Sequence, residues 1–112
     1  MTGMKKAPSH TVAEMHQQTA RVSWTELEPH FARGVVVRVV VELDLVEVAT
    51  GFANDDKSKV AAWITQGQVD HLDRETAKRW SRGGADLWAV VVAPWVLVQE
   101  QEPRARYRGA PE

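Results

Sequence analysis

The sequence predicts a single small domain of the α+β class, on three observations. Its 112 residues suit one domain. Two valine-rich runs, 35–41 and 87–98, have the density of β-branched residues that favours strands. Several segments around them repeat apolar residues at helical spacing and end at glycines. We expect the order α-α-β-α-α-β-α-β, with strands 35–41 and 88–98 adjacent in a small sheet and the helices packed on it.

The two ends of the chain are polar and rich in proline, glycine and charge. We expect residues 1–10 and 101–112 to be disordered tails around one domain at 11–100. The first helix is predicted over 11–21, where apolar residues follow a modest helical stripe.

A second, short helix is predicted to start at 23–25. Thr25 and Glu28 have the T-x-x-E spacing of a capping box, in which side chains satisfy the first backbone N–H groups. Pro29 then falls near the first turn, where it loses at most one backbone hydrogen bond. Gly34 is expected to end the helix in the left-handed conformation.

The run 35–41 holds six valines around Arg38. Apolar residues on both faces are typical of a central strand that is covered on both sides. The next segment begins with the alternation of a strand, but from Leu45 the apolar residues fall at helical spacing. We interpret 44–53 as a helix capped by Asp44, with a strand as the open alternative.

Three further elements precede the last strand. A helix over 56–66 is predicted from the acids before it, from its apolar face of Val60, Trp63 and Ile64, and from its stop at Gly67. A short strand follows at 68–72, and Asp73 is expected to cap a helix over 73–82. The final run is interpreted as one long strand broken at Pro94, because proline cannot donate to a strand ladder.

Four stretches of the chain carry a resemblance to a known family. They are Trp24 with Leu27 and 29–34, then 43–49, then Val60 with Trp63 and Gly67, and finally 88–99. In these stretches the chain resembles a small bacterial family catalogued as a domain of unknown function, the domain of unknown function 2288 family. The likeness covers residues 11–100. It implies a bacterial cytoplasmic origin, and it brings no activity, cofactor or functional residue with it.

Composition excludes several classes of function. The absence of cysteine rules out a disulfide framework, a thiolate metal site and a cysteine nucleophile, and it fits a reducing compartment. The longest apolar run, 87–98, is shorter than the roughly 20 residues of a membrane span. We therefore expect a cytoplasmic protein that does not engage a membrane.

The residues Trp24, His30 and Arg33 are the candidate ligand-binding set. His30 and Arg33 share a helix face and, with Trp24 nearby, could form a pocket for an anion or a stacked ring. The alternative is a capped helix whose histidine and arginine simply meet water. The glycines of a nucleophile elbow and of a phosphate loop are missing, so we assign no catalytic residue.

Metal and nucleic acid are not expected partners. His71 stands near Asp70, Asp73 and Glu75, but this spacing does not give the three ligands of a catalytic zinc site, and we predict no metal and no cofactor. Helices 44–53 and 56–66 have the spacing of a helix-turn-helix, yet acidic residues begin the second helix, where DNA phosphates would lie. Residues 11–99 hold nine basic and twelve acidic residues, and the absence of a positive balance also argues against nucleic-acid binding.

The tryptophans of the last run, Trp88 and Trp95, are the candidate interface residues. In an unbroken strand they would lie on opposite faces of the sheet, and aromatic anchors are enriched in subunit interfaces. Our first hypothesis is therefore a non-catalytic module that forms a homodimer or binds a partner protein. The alternatives are a small-molecule or anion binder, possibly an enzyme, and a DNA-binding regulator.

Overall fold

One mixed sheet with helices on both faces makes up the part of the chain, residues 11–100, that this computed structural model describes. Its five strands follow the order β1-β4-β5-β2-β3 across the sheet. Along the chain the elements are α1 (Val12–Gln17), β1 (Ala20–Val22), α2 (Trp24–Ala32), β2 (Val36–Val39), α3 (Leu45–Ala53), α4 (Lys57–Thr65), β3 (Val69–His71), α5 (Arg74–Ser81), β4 (Leu87–Val92) and β5 (Trp95–Gln99).

The centre of the sheet is the parallel pair β2 and β5. Val37 lies opposite Leu97 in this pair, and Arg38 lies opposite Val98. β3 continues the sheet antiparallel to β2, whereas β4 and then β1 continue it antiparallel beyond β5. This arrangement confirms the α+β class and the adjacency of the two apolar runs.

Each face of the sheet has its own apolar core. On the first, which we call the α3 face, sheet residues pack against α1 and α3; on the second, the α5 face, they pack against α2 and α5. The buried residues of the α3 face are Met15, Val37, Val39, Leu45, Val46, Val48, Ala49, Val69, Val90 and Leu97. Those of the α5 face are Leu27, Val36, Leu72, Ala77, Trp80, Leu87, Ala89, Val96 and Val98.

The strands at the two ends of the sequence differ from the prediction. The first helix ends at Gln17, and β1 follows it as an edge strand in which Arg21 pairs with Trp88 of β4. The final run is a hairpin and not one long strand: Val92 pairs with Trp95, and a turn joins β4 to β5. Pro94 lies in that turn, where a residue without a backbone N–H costs no ladder hydrogen bond.

The start of α2 lies two residues before the predicted capping box. Ser23 is the N-cap, and it exchanges hydrogen bonds with Glu26 in a reciprocal capping box. The predicted box of Thr25 and Glu28 is therefore wrong, because the helix begins as soon as β1 ends. Pro29 consequently falls inside the helix, at an exposed position. Because proline has no backbone N–H, the carbonyl of Thr25 lacks its helical hydrogen bond. Thr25 is also exposed, so water can bind this carbonyl.

The remaining helix ends confirm the sequence predictions. Asp44 accepts the backbone N–H of Val46 at 2.9 Å, which settles 44–53 as a helix and not a strand. Asp56 and Asp73 cap α4 and α5 in the same way. The chain leaves α2 through Gly34, whose φ is +75° as the left-handed C-terminal geometry requires.

The predicted tails, 1–10 and 101–112, lie outside the described residues. The longest helices of the described part have nine residues each. No helix within 11–100 has the length and apolar character needed to cross a membrane.

Helix α3 approaches α4 closely at Gly51. A Cβ atom at this position would lie 2.9 Å from Cη2 and 3.0 Å from Cζ3 of Trp63. These separations are shorter than normal van der Waals contact, so the glycine allows the indole to lie against the backbone of α3.

We predict that Gly51→Ala destabilises the protein by about 1 kcal/mol or more, because the indole must leave its packed position. Helix propensity alone would stabilise this variant by roughly 0.8–1 kcal/mol. Urea unfolding measures the sign. The control is the same change in a Trp63→Leu background, where alanine should be stabilising; an equal effect in both backgrounds would contradict the packing argument.

Glu100 joins the end of β5 to α5 and β2. Its carboxylate accepts the indole N–H of Trp80 at 2.8 Å and pairs with Arg79 at 2.9 Å and Arg38 at 3.2 Å. Partial burial raises the pKa of this carboxyl, but the indole and the two guanidinium groups outweigh burial and leave the pKa below its ordinary value of 4.5. The ionised form of Glu100 therefore stabilises the fold.

We predict that Glu100→Gln lowers the free energy of unfolding by about 1 kcal/mol at pH 7. A carboxyl whose pKa is lower in the folded than in the unfolded protein stabilises the fold at pH values above its unfolded pKa. This stabilisation is lost as the pH falls through the folded pKa. The difference between parent and variant should therefore shrink as the pH falls below about 4. Thermal melts over pH 3 to 7 test this, and a difference independent of pH would contradict it.

Candidate functional site

An apolar groove lies on the α3 face, between α4 and the sheet. Two adjoining cavities of about 340 and 320 Å³ form it and share three wall residues, Phe52, Val60 and Trp95. We call it the Trp95 groove. It comprises the apolar residues Val37, Phe52, Val60, Ile64, Val69 and Trp95, with Asp55, Lys57, Asp70 and His71 among its polar lining.

The groove exists because α4 covers the sheet only in part. No residue of α4 is buried, whereas five residues of α3 are. Val60 and Trp63 are half-buried, and Ile64 keeps 53% of its surface exposed. The apolar face predicted for this helix is therefore present, but much of it remains open to solvent.

Trp95 holds a fixed position in the groove. It is the first residue of β5, directly after the hairpin turn, and its side chain is half-buried. The ring of His71 meets its ring edge-on, with centroids 5.6 Å apart and planes at 69°. The sheet thus presents an aromatic side chain of the kind that anchors interfaces.

The polar residues divide between the two ends of the groove. At the α4 start, Lys57 Nζ lies 4.0 Å from Asp55 Oδ2, and both side chains are more than 80% exposed. At the β3 end, Asp70 Oδ1 accepts the backbone N–H of His71 at 2.7 Å. Each end of the groove therefore carries one carboxylate beside one basic side chain.

The second candidate interface residue, Trp88, lies on the same face as Trp95. The hairpin brings this about, since pairing of Val92 with Trp95 turns the chain back on itself. The expectation of opposite faces is wrong for this reason. Trp88 is half-buried, and its indole N–H donates to Asp86 at 3.2 Å, away from the residues of the Trp95 groove.

The three candidate ligand-binding residues lie along α2. Trp24 is at its start, with its ring 5.7 Å from that of Phe31. His30 and Arg33 are at its end, where a guanidinium nitrogen lies 2.7 Å from Nδ1 of the imidazole. Trp24 lines a cavity of about 550 Å³ near Gly83, whose lining includes neither His30 nor Arg33.

The chain matches one family model over the whole of its described residues. The match covers residues 10–100, and the family's description is "Protein of unknown function (DUF2288)". The chain belongs to this family. No curated protein matches this chain.

A solved structure is similar to this chain in sequence and fold. It is the NMR solution structure of PA1075 from Pseudomonas aeruginosa, with 45% sequence identity, a TM-score of 0.71, and coverage of 87% of this chain and 91% of that chain. The family match confirms the resemblance seen in the sequence. Neither of these two matches names an activity.

Sequence reasoning did not point to most of the Trp95 groove. The sequence predicts Val60 and Ile64 as residues of the apolar core, and no sequence pattern marks Phe52 as a functional residue. His71 was considered for a metal; within residues 11–100 no group of three or more histidines or acids could hold one. Asp73, also in that cluster, caps α5, and hydrogen bonds from Thr76 lower the pKa of its carboxyl.

Proposed function

We propose that this protein is a non-catalytic binding module that pairs with a second copy of itself, with the Trp95 groove as the subunit interface. A two-fold interface uses the same patch on both subunits, so that patch must be complementary to itself. The proposal rests on two neighbouring features, the apolar groove itself and the side chain of Ile64 at its edge, which is 53% exposed.

Apolar burial supplies the driving force. In a two-fold arrangement, Ile64 of each subunit enters the groove of the other and meets Phe52 and Trp95 there. Burying an isoleucine fully is worth roughly 1.5–3 kcal/mol, and the two-fold doubles every contact. An aromatic residue in a half-open pocket beside a rim of charged residues has the anatomy of a subunit interface.

The charges at the ends of the groove favour a second copy as the occupant. A two-fold axis that passes near Trp95 and runs perpendicular to the groove sets the α4 end of one groove against the β3 end of the other. Lys57 then faces the partner's Asp70, and Asp55 faces the partner's His71. A uniformly acidic partner would meet a carboxylate at both ends of the groove, Asp55 and Asp70. A uniformly basic partner would meet the basic side chains Lys57 and His71. A second copy presents both kinds of group and can match both ends.

Localisation in a bacterial cytoplasm belongs to the same proposal. The absence of cysteine suits a reducing compartment, and the related PA1075 comes from a bacterium. Fractionation of cells that express the full-length protein, followed by immunoblotting, tests the location directly.

We predict that the full chain sediments as a dimer at tens of micromolar and that Ile64→Asp weakens the dimer about thirtyfold or more, since a hot spot is worth about 2 kcal/mol. The matched control is Val41→Asp, an exposed valine outside the groove lining that is 38% accessible. It should leave the dimer unchanged. Both variants should keep the far-ultraviolet circular dichroism of the parent and unfold cooperatively, and only Ile64→Asp should lose the stabilisation that the dimer adds. A parent protein that sediments as a 12.5 kDa monomer would refute the proposal.

We also predict a charge-reversal rescue. Lys57→Glu and Asp70→Lys should each weaken the dimer, because each sets like charges against each other across the two-fold. The double variant should recover most of the parent affinity. Sedimentation equilibrium at low and at high salt measures this, and single variants without effect at low salt would show that the ends of the groove do not face each other.

A further inference from the structure

His71 lies at the β3 end of the Trp95 groove, and its side chain is on the face of the sheet that the groove occupies. The register of β2 and β3 sets His71 opposite Val37, whose side chain is buried in the core of the α3 face. Directly opposed residues of neighbouring strands share a face, so the imidazole is on the α3 face as well. Its ring centroid lies 5.6 Å from that of Trp95, which agrees with this orientation. The side chain is exposed, so water can reach the imidazole and exchange protons with it.

Few charged groups surround this imidazole. Among the described residues, Asp70 is the only charged group that lines the same cavity, and its Oδ1 accepts the backbone N–H of His71 at 2.7 Å at the outer edge of the sheet. Further along the chain, the carboxylate of Asp73 accepts the N–H of Thr76 as the cap of α5. The other residues of the cavity, from β2, α3, α4, β3 and β5, are apolar: Val37, Phe52, Val60, Ile64, Val69 and Trp95.

The closed interface of the proposed dimer holds more carboxylates than cations. Each groove carries the carboxylates of Asp55 and Asp70, the ammonium group of Lys57 and the imidazole of His71. Two grooves meet across the two-fold axis, so these groups have a net charge of −2 while both imidazoles are neutral and of zero once both are protonated. Excess like charge in a contact that excludes water opposes association, so the interface with neutral imidazoles is the weaker one.

We infer that protonation of His71 tightens the dimer, so that the Trp95 groove is a pH-sensitive interface. This inference rests on the proposed function, because it concerns the regulation of the same site. In the proposed arrangement each imidazolium faces the partner's Asp55, and the added proton creates an attraction across the two-fold axis. Dimer formation and proton uptake therefore favour each other. Histidine side chains ordinarily change charge between pH 5 and 8, so the affinity rises as the pH falls through this range and declines again as the pH rises.

Sedimentation equilibrium of the full chain over pH 5.5 to 8, at constant ionic strength, tests this inference. The dissociation constant of the parent dimer should fall about tenfold from the highest to the lowest pH, since two exposed ion pairs form. His71→Gln keeps a polar side chain that cannot gain the charge, and its affinity should vary by about twofold or less. The matched control is His30→Gln on α2, outside the groove lining, which should keep the pH dependence of the parent.

Asp55→Asn tests the other partner of the same contact. Asp55 has a φ of +54°, a left-handed conformation that asparagine also adopts, so the turn before α4 should keep its shape. At pH 8 this variant should dimerise at least as tightly as the parent, because it removes excess negative charge from the interface. On acidification it should gain only about threefold or less, because the imidazolium no longer faces a carboxylate.

The possible results separate this inference from the proposed function. A dimer of equal affinity from pH 5.5 to 8, or a pH dependence that persists in His71→Gln, would overturn the inference and leave the Trp95 groove as the interface. A dimer that weakens as the pH falls would overturn it too, because burial of the charged imidazole would then outweigh its attraction to Asp55. A protein that is monomeric at every pH would overturn both.

Discussion

The parallel pairing of β2 with β5 is the constraint on which the rest of the structure depends. Both strands lie inside the sheet, and both of their faces are apolar, so helices have to cover the sheet from two sides. Parallel neighbours also require a crossover, and the chain between them supplies α3, α4, β3, α5 and β4. Gln99 reinforces this centre: it is buried at the end of β5, and its amide donates to the carbonyls of Val40 and Leu43, which fixes the loop that begins the crossover.

Helices cover the two faces of the sheet unequally. Their incomplete cover leaves the Trp95 groove on one face and the cavity lined by Trp24 on the other. On the α5 face, Trp80 and Leu27 fill the centre, and the remaining space is the cavity of about 550 Å³ that Trp24 lines. On the α3 face, α3 is buried against the sheet whereas α4 rests on it loosely. A domain of this size has few residues for two helical layers, which leaves an apolar groove that a second copy can close.

Sequence reasoning succeeded where the physical cause is local. The caps Asp44, Asp56 and Asp73 lie within three residues of the N–H groups that they accept, and Gly34 ends α2 by its own conformation. It failed where the cause is distant. β1 exists because it pairs with β4, more than sixty residues later, and three residues without strong periodicity give no signal of that partner.

The candidate sites show the same division. Trp24 and Trp95 were singled out as large aromatic residues, and each lines a cavity. Their neighbours Ile64 and Gly83 could not be assigned to those cavities from the sequence, because the fold brings them there from other elements.

The central claim, that a second copy closes the Trp95 groove, is tested most directly by isotope-filtered NMR. A mixture of ¹³C-labelled and unlabelled chains would reveal contacts between subunits only. The proposed dimer predicts cross-subunit nuclear Overhauser effects between the Ile64 methyl groups and the Trp95 ring. Cross-subunit signals confined to other surfaces, or rotational correlation times of a 12.5 kDa monomer at the same concentration, would contradict it.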